Sequence, residues 1–159
     1  METAEDRKKV ALDWLRASLL VDKDRLIELT GEDCTFFLTG DMPGSGWKTR
    51  EQWLEGWTQV AAAVPTPFHV RVGSVTAEDD RVAIEAEATC ELPDGRRYQN
   101  HYHFLLRIRD GKLRTLKEYF DTQHAARSFG IDFDLDKVQG EAKQRQSNLD
   151  DVSDSYTRT

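Results

Sequence analysis

Glu85, Glu87 and Glu91 stand at alternate positions in the stretch from Arg81 to Leu92, so on an extended strand they share one face with Thr89. Carboxylates gathered on one face can do general acid–base work where that face is enclosed. The opposite face carries Val82, Ile84, Ala86, Ala88 and Cys90, and a sheet with one wet face turns its polar side chains outward, so alternation alone points the glutamates to solvent. His101 and His103 are likewise two apart and point the same way. They could share a metal ion, but no third ligand stands at a useful spacing, so no metal is expected, and on an outer sheet face they suit a dimer interface. His69, near the start of a strand, could enter a pocket as a second base or sit satisfied at the edge of the core. Asn100 and Tyr102 share a face with Phe104 and could offer an amide and a phenol to a ligand, although a buried tyrosine with a hydrogen-bonded hydroxyl serves a core equally well. Trp47, Trp53 and Trp57 could line the mouth of an apolar pocket, while the spacing of Trp53 and Trp57 also suits the core face of a helix.

The elements that must hold these residues are legible in order. Thr3 to Asp6 can cap a first helix whose apolar face repeats at Val10, Ala11, Trp14, Leu15, Ser18 and Val21. A short helix is expected from Asp22 to Thr30, ended by Gly31, then a strand from Cys34 to Leu38 and a loop over 40–46 that leads to Trp47. Thr49 and Gln52 make a capping box for a helix that presents Trp53, Trp57, Val60, Ala61 and Val64 on one side, with Pro65 and Pro67 stopping it. Strands follow at Phe68 to Ala77, Arg81 to Leu92 and Arg97 to Arg109. The pair Asp110-Gly111 then turns the chain into a partner strand from Lys112 to Phe120, a β-hairpin within an antiparallel meander. Asp121 and Thr122 occupy an N-cap position, and Gly130 closes the last helix.

A strand ending in Asp110-Gly111-Lys112-Leu113, followed by Glu118-Tyr119-Phe120-Asp121-Thr122 entering a short helix, resembles the C-terminal part of SnoaL-like proteins, ketosteroid-isomerase-related members of the NTF2-like superfamily. The order of elements matches from about residue 6 to about residue 133. The resemblance implies an α+β cone, a curved antiparallel sheet wrapped around three or four helices with an internal pocket, and pairing as a homodimer through the outer sheet face. Laid without gaps on the limonene-epoxide-hydrolase-like branch, Glu87 falls on its first catalytic aspartate and Glu118 on its second. Glu85 falls on its arginine. That superposition turns the glutamate face into the cone and makes Glu87 the base, Glu118 the acid or orienting partner and Glu85 a group sharing the proton, because like charges crowded away from water raise at least one pKa. Phe36 and Leu38 stand where that branch keeps the tyrosine and asparagine that position water, so its epoxide hydrolysis does not carry over. Phe104 stands where the ketosteroid isomerases keep an acidic oxyanion donor.

Composition bounds the rest. Charged residues make up 32% of the 159 and the net charge is −7, with no basic stripe, so a nucleic-acid partner is not expected. No run approaches the roughly 20 apolar residues of a membrane span and the start, METAEDRKK, lacks the apolar core of a secretory signal. The expectation is a cytoplasmic protein with no membrane partner. Two cysteines, Cys34 and Cys90, are too few for a disulfide framework and are expected reduced and at least half-buried. Lys48 does not make a phosphate loop of 44–49, because Trp47 separates it from Gly46 and no βαβ unit surrounds it. One domain over 1–135 and a polar tail over 136–159 are expected, the tail contributing nothing to the core. The functional expectation is a SnoaL-like enzyme, an isomerase, cyclase, dehydratase or hydrolase. It would need no cofactor and would act on an apolar, cyclic substrate held by Trp47, Trp57, His69, Asn100 and Tyr102. The rival is a non-catalytic ligand-binding or protein-interaction module of the same fold.

Overall fold

A computed structural model of the chain describes residues 2–64 and 67–130. The expected tail over 136–159, and Pro65 as a helix stop, lie outside the described residues. Helix α1 spans Ala4–Leu19 and is opened by a capping box, with Thr3 accepting from the Asp6 backbone and the Asp6 carboxylate accepting from that of Thr3. Helix α2 (Lys23–Leu29) is capped by Asp22, and α3 (Arg50–Ala62) starts at the capping box of Thr49 and Gln52. Helix α4 (Thr122–Phe129) runs from the Asp121 cap to Gly130, which adopts the left-handed conformation at φ 64° that ends helices.

Six strands form one curved, open sheet in the order β2-β1-β6-β5-β4-β3. These are β1 (Thr30–Leu38), β2 (Gly46–Thr49), β3 (His69–Glu78), β4 (Arg81–Glu91), β5 (Arg97–Arg109) and β6 (Lys112–Phe120). The Asp110-Gly111 turn has both residues at positive φ, 55° and 69°, as a two-residue hairpin loop of that hand requires. The structure departs from the sequence expectation in three places. Thr30 and Gly31 begin β1 instead of ending α2. Gly46 to Thr49 is a strand that pairs with β1. The sheet is mixed, since β1 runs parallel to β6, a pairing that no local pattern could reveal because about 80 residues separate the two strands in sequence.

Helices α1, α2 and α3 lie over one face of the sheet. Trp14 links the layers, 2% exposed, its indole N–H donating to Thr30 Oγ1 at 3.1 Å and its ring packed on Trp53 and Phe36. A first apolar cluster joins α1 and α2 to Val82, Ile84, Leu106, Ile108 and Leu113, and a second joins α4 to Cys90, Leu92, Tyr98 and Met42. A side chain at Gly40 would meet Thr122 Oγ1 at 2.5 Å, so the β1–β2 loop closes on the start of α4 only with glycine there. The β3–β4 turn is tied to β5 by Asp80, whose carboxylate accepts from Arg109 at 2.7 Å and Arg107 at 3.2 Å. Replacing Asp80 by alanine is expected to cost about 1 kcal/mol, little because the arginines are partly exposed and screened. Urea unfolding measures it, and an unchanged midpoint would show that the tie carries nothing.

Candidate functional site

The space between the sheet and α3 is a cavity of about 710 Å³ with a largely apolar lining rich in aromatic rings. Its size follows from side-chain choice along β4. The inward positions run Val82, Ile84, Ala86, Ala88; all four are buried, and the small alanines line the cavity together with Trp53 and Trp57. Helix α3 consequently buries no residue fully, because its apolar side looks onto the cavity. Trp57 lines it and donates its indole N–H to the Ser18 carbonyl at 2.6 Å, while Phe68, 5.6 Å from the Trp57 ring, continues the wall.

Glu118 is the carboxylate inside this wall. Leu116, Glu118 and Phe120 all line the cavity, whereas Lys117 lies over the Trp47 ring. Strand pairing places Phe104 beside Glu118 on one side and Leu38 on the other. No described group donates a hydrogen bond to its carboxylate; burial pushes it up to about 7, with the Lys48 charge pulling the other way. A carboxyl with that titration divides its time between acid and base near neutrality, which is the property proton transfer needs.

Tyr102 lines the same cavity. Its hydroxyl lies 2.8 Å from that of Tyr98, which accepts from Asn100 Nδ2 at 2.9 Å. Burial pushes both phenols up. Asn100 itself is buried and spoken for, since its amide also donates to the Asp121 carbonyl and accepts from the Asp121 and His101 backbone.

The remaining candidates lie elsewhere. Glu85 and Glu87 point away from the cone, into a groove on the outer sheet face with Arg71, His101, His103 and Tyr119. Glu85 is exposed and accepts from Ser74 at 2.6 Å; Glu87 accepts from Arg71 and Gln99, each at 2.8 Å. The Arg71 hydrogen bond holds the Glu87 carboxyl below its usual range, against a smaller opposing effect of desolvation, the reverse of what a shared proton would need. The expectation of three converging carboxylates is therefore corrected. Although β3 carries a bulge at Gly73, the β4 register runs unbroken against β5, so alternation sets which face the glutamates occupy. His69 is exposed at the start of β3 and Trp47 is buried against Phe37; neither lines the cavity. Among the described residues no group of three metal-ligating side chains comes together. Cys34 and Cys90 are free and buried, their thiols pushed up by burial. Converting Glu85 or Glu87 to glutamine is expected to change the affinity of a cavity ligand by less than about twofold, because both carboxylates stand on the opposite face of the sheet and Glu87 is already paired with Arg71. Calorimetric titration checks this, and a larger loss would bring the outer face back into the site.

The helices laid on a curved sheet with a largely apolar cavity between them define an NTF2-like cone, and the solved structures agree. Bal32a from a soil-derived mobile gene cassette superposes with a TM-score of 0.71 at 21% identity, over 79% of this chain and 98% of that one. IdmH from Streptomyces antibioticus, provisionally called a polyketide cyclase, gives 0.66 at 21% over 79% and 99%. A ketosteroid-isomerase-like fold from Catenulispora acidiphila DSM 44928, in complex with trimethylamine, gives 0.65 at 19% over 77% and 93%. A search of curated proteins gives no match. The model of the SnoaL-like domain matches residues 12–116, and the chain belongs to that family. No helix among the described residues is long and apolar enough to cross a membrane.

Proposed function

We propose that the protein is a cofactor-independent acid–base enzyme acting on an apolar, cyclic small molecule held in the cone, with Glu118 moving the proton. The observation that carries this reading is the Glu118 carboxyl on an apolar part of the cavity wall, flanked by Phe104 and Leu38 and shifted toward neutrality. As carboxylate, Glu118 takes a proton from a carbon next to a substrate carbonyl. The electron pair left behind delocalises onto the carbonyl oxygen. Where a C=C bond is conjugated with that enolate, Glu118 returns the same proton to the far carbon and completes an isomerisation, whereas attack of the deprotonated carbon on a second carbonyl gives a cyclisation, the new alkoxide taking the proton back from Glu118. Tyr102 serves as donor to the developing oxyanion. Tyr98 accepts from Asn100, and either phenol can donate across the 2.8 Å between Tyr98 and Tyr102; the arrangement in which Tyr98 donates leaves the Tyr102 proton for the cavity.

Incubating the protein with cyclic ketones, epoxides and aromatic polyketides tests this directly. Consumption by the wild type, with loss on Tyr102→Phe and Glu118→Gln, supports it; consumption that survives both sinks it. The second reading, binding without turnover, is favoured by the lack of a second carboxylate in the interior: Asp94, also on the lining, is exposed and held by Arg96 at 2.7 Å. Pairing of two copies through the outer sheet face, where Val72 and Tyr119 are 39% and 38% exposed, belongs to the same proposal. A monomer in sedimentation would remove it.

A further inference from the structure

We propose that the cavity's ligand is an amphiphile, a flat apolar ring body carrying an anionic group on a short arm, with the anion held at the rim by Arg127 and Arg96. This rests on the reading that the cone takes a small molecule. The two apolar clusters mark the two ends of the cavity. Trp14, Phe36 and Trp53 belong with the first, and Leu92, Ala125 and Phe129 with the second. Arg96 follows the β4–β5 turn beside Leu92, and Arg127 lies in the last turn of α4 beside Phe129, so both cations edge the second end.

Charge separates the rim from the interior. The chain as a whole carries −7, yet the charged lining of this cavity holds Lys48, Arg96 and Arg127 against Asp94 and Glu118. Asp94 is engaged by Arg96 through its side chain and through the Arg96 backbone. Arg127 is exposed and makes no ion pair with a described residue. A guanidinium at the edge of an apolar cavity offers forked donors that suit carboxylate or phosphate oxygens. The interior disfavours the same group, because Glu118 already answers the Lys48 charge there, the Lys48 ammonium also donates to the Gly44 carbonyl, and a second anion would be both desolvated and repelled. A ligand with its ring against Trp53 and Trp57 and its anion outward satisfies both ends.

Calorimetric titration of the full chain at pH 8 with pyrene-1-butyrate and its uncharged isostere pyrene-1-butyramide reads the preference. The acid is expected to bind about fivefold tighter than the amide at low salt, with the difference shrinking toward unity in about 0.5 M salt. Arg127→Gln should abolish most of that preference and Arg127→Glu invert it, both leaving the amide's affinity and the melting temperature nearly unchanged. Equal binding of acid and amide to the wild type, or a preference that survives Arg127→Glu, overturns the rim assignment while leaving the cavity reading intact. If neither probe binds, the cavity reading falls and this one with it. A third probe, 4-(pyren-1-yl)butyl phosphate, separates the two anion sources: tighter binding than the butyrate assigns the rim to a phosphate ester, weaker binding to a carboxylate.

Discussion

Glu118→Gln is expected to lower turnover by about 10²–10⁴-fold, the range that a positioned acid–base group supplies, while an uncharged ligand binds as before. Glutamine keeps the shape of the side chain and removes the proton that moves. The same substitution has a second, independent readout. In the unfolded chain Glu118 titrates near 4.5, and in the folded protein near 7. Between these values the unfolded state has lost the proton that the folded state still holds, so stability is full below 4.5 and falls as pH rises to 7. The whole shift corresponds to about 3 kcal/mol, an upper figure because water entering the cavity solvates the charge. Urea unfolding of wild type and variant at pH 5 and pH 8 should therefore show the variant gaining relative stability at the higher pH. The difference between the two proteins isolates Glu118 from every other carboxylate, and a gap that stays constant with pH would show that this carboxyl is not desolvated.

Asn100→Leu is expected to cost about 3 kcal/mol although no apolar contact is lost. The amide of Asn100 holds β5 to the start of α4 by donating to the Asp121 carbonyl at 2.8 Å and accepting from its N–H at 3.2 Å. Leucine leaves those groups, the His101 N–H and the Tyr98 hydroxyl short of partners, and each unsatisfied buried group costs about 1–3 kcal/mol, reduced where water or a shifted backbone can reach it. Asp121 is also the cap of α4, accepting from His124 N–H at 2.9 Å, so the damage should spread along that helix. Hydrogen exchange should show the α4 amides opening far more readily than those of β4, and cavity ligands should bind more weakly because Phe129 and Ala125 form part of the wall. A loss of under about 1 kcal/mol would mean that Asn100 is incidental to the docking of α4.

Local chemistry determined a large share of this protein. Thr3, Thr49 and Asp121 cap their helices through interactions that span three residues, the Asp110-Gly111 turn needs only its own φ preferences, and the alternation of β4 is a property of one extended segment. The resemblance carried by Asp110 to Leu113 and Glu118 to Thr122 pointed to the SnoaL-like family, which the domain match shows. Alternation and resemblance disagreed over Glu85 and Glu87, and the fold sided with alternation. The tertiary structure decided what depends on partners distant in the chain. Glu118 stands inside the cone because Arg114 is an extra residue in β6, where the pairing shifts between Thr115 and Leu113. Leu113 and Leu116 therefore both face inward, and the three-residue step between them is the sign of the switch in the local pattern, beside the resemblance, which implies Glu118 in the cone. The raised titration of Glu118 needs Leu38 from β1 and Phe104 from β5, strands brought together by a parallel pairing that leaves no periodic trace. Asn100 read as a ligand group because its type and face suit that role, and only the fold shows its hydrogen bonds already taken by Asp121. Electrostatics and polar satisfaction depend on three-dimensional neighbours, whereas capping, turning and alternation depend on neighbours along the chain; the first set waits for the fold and the second does not.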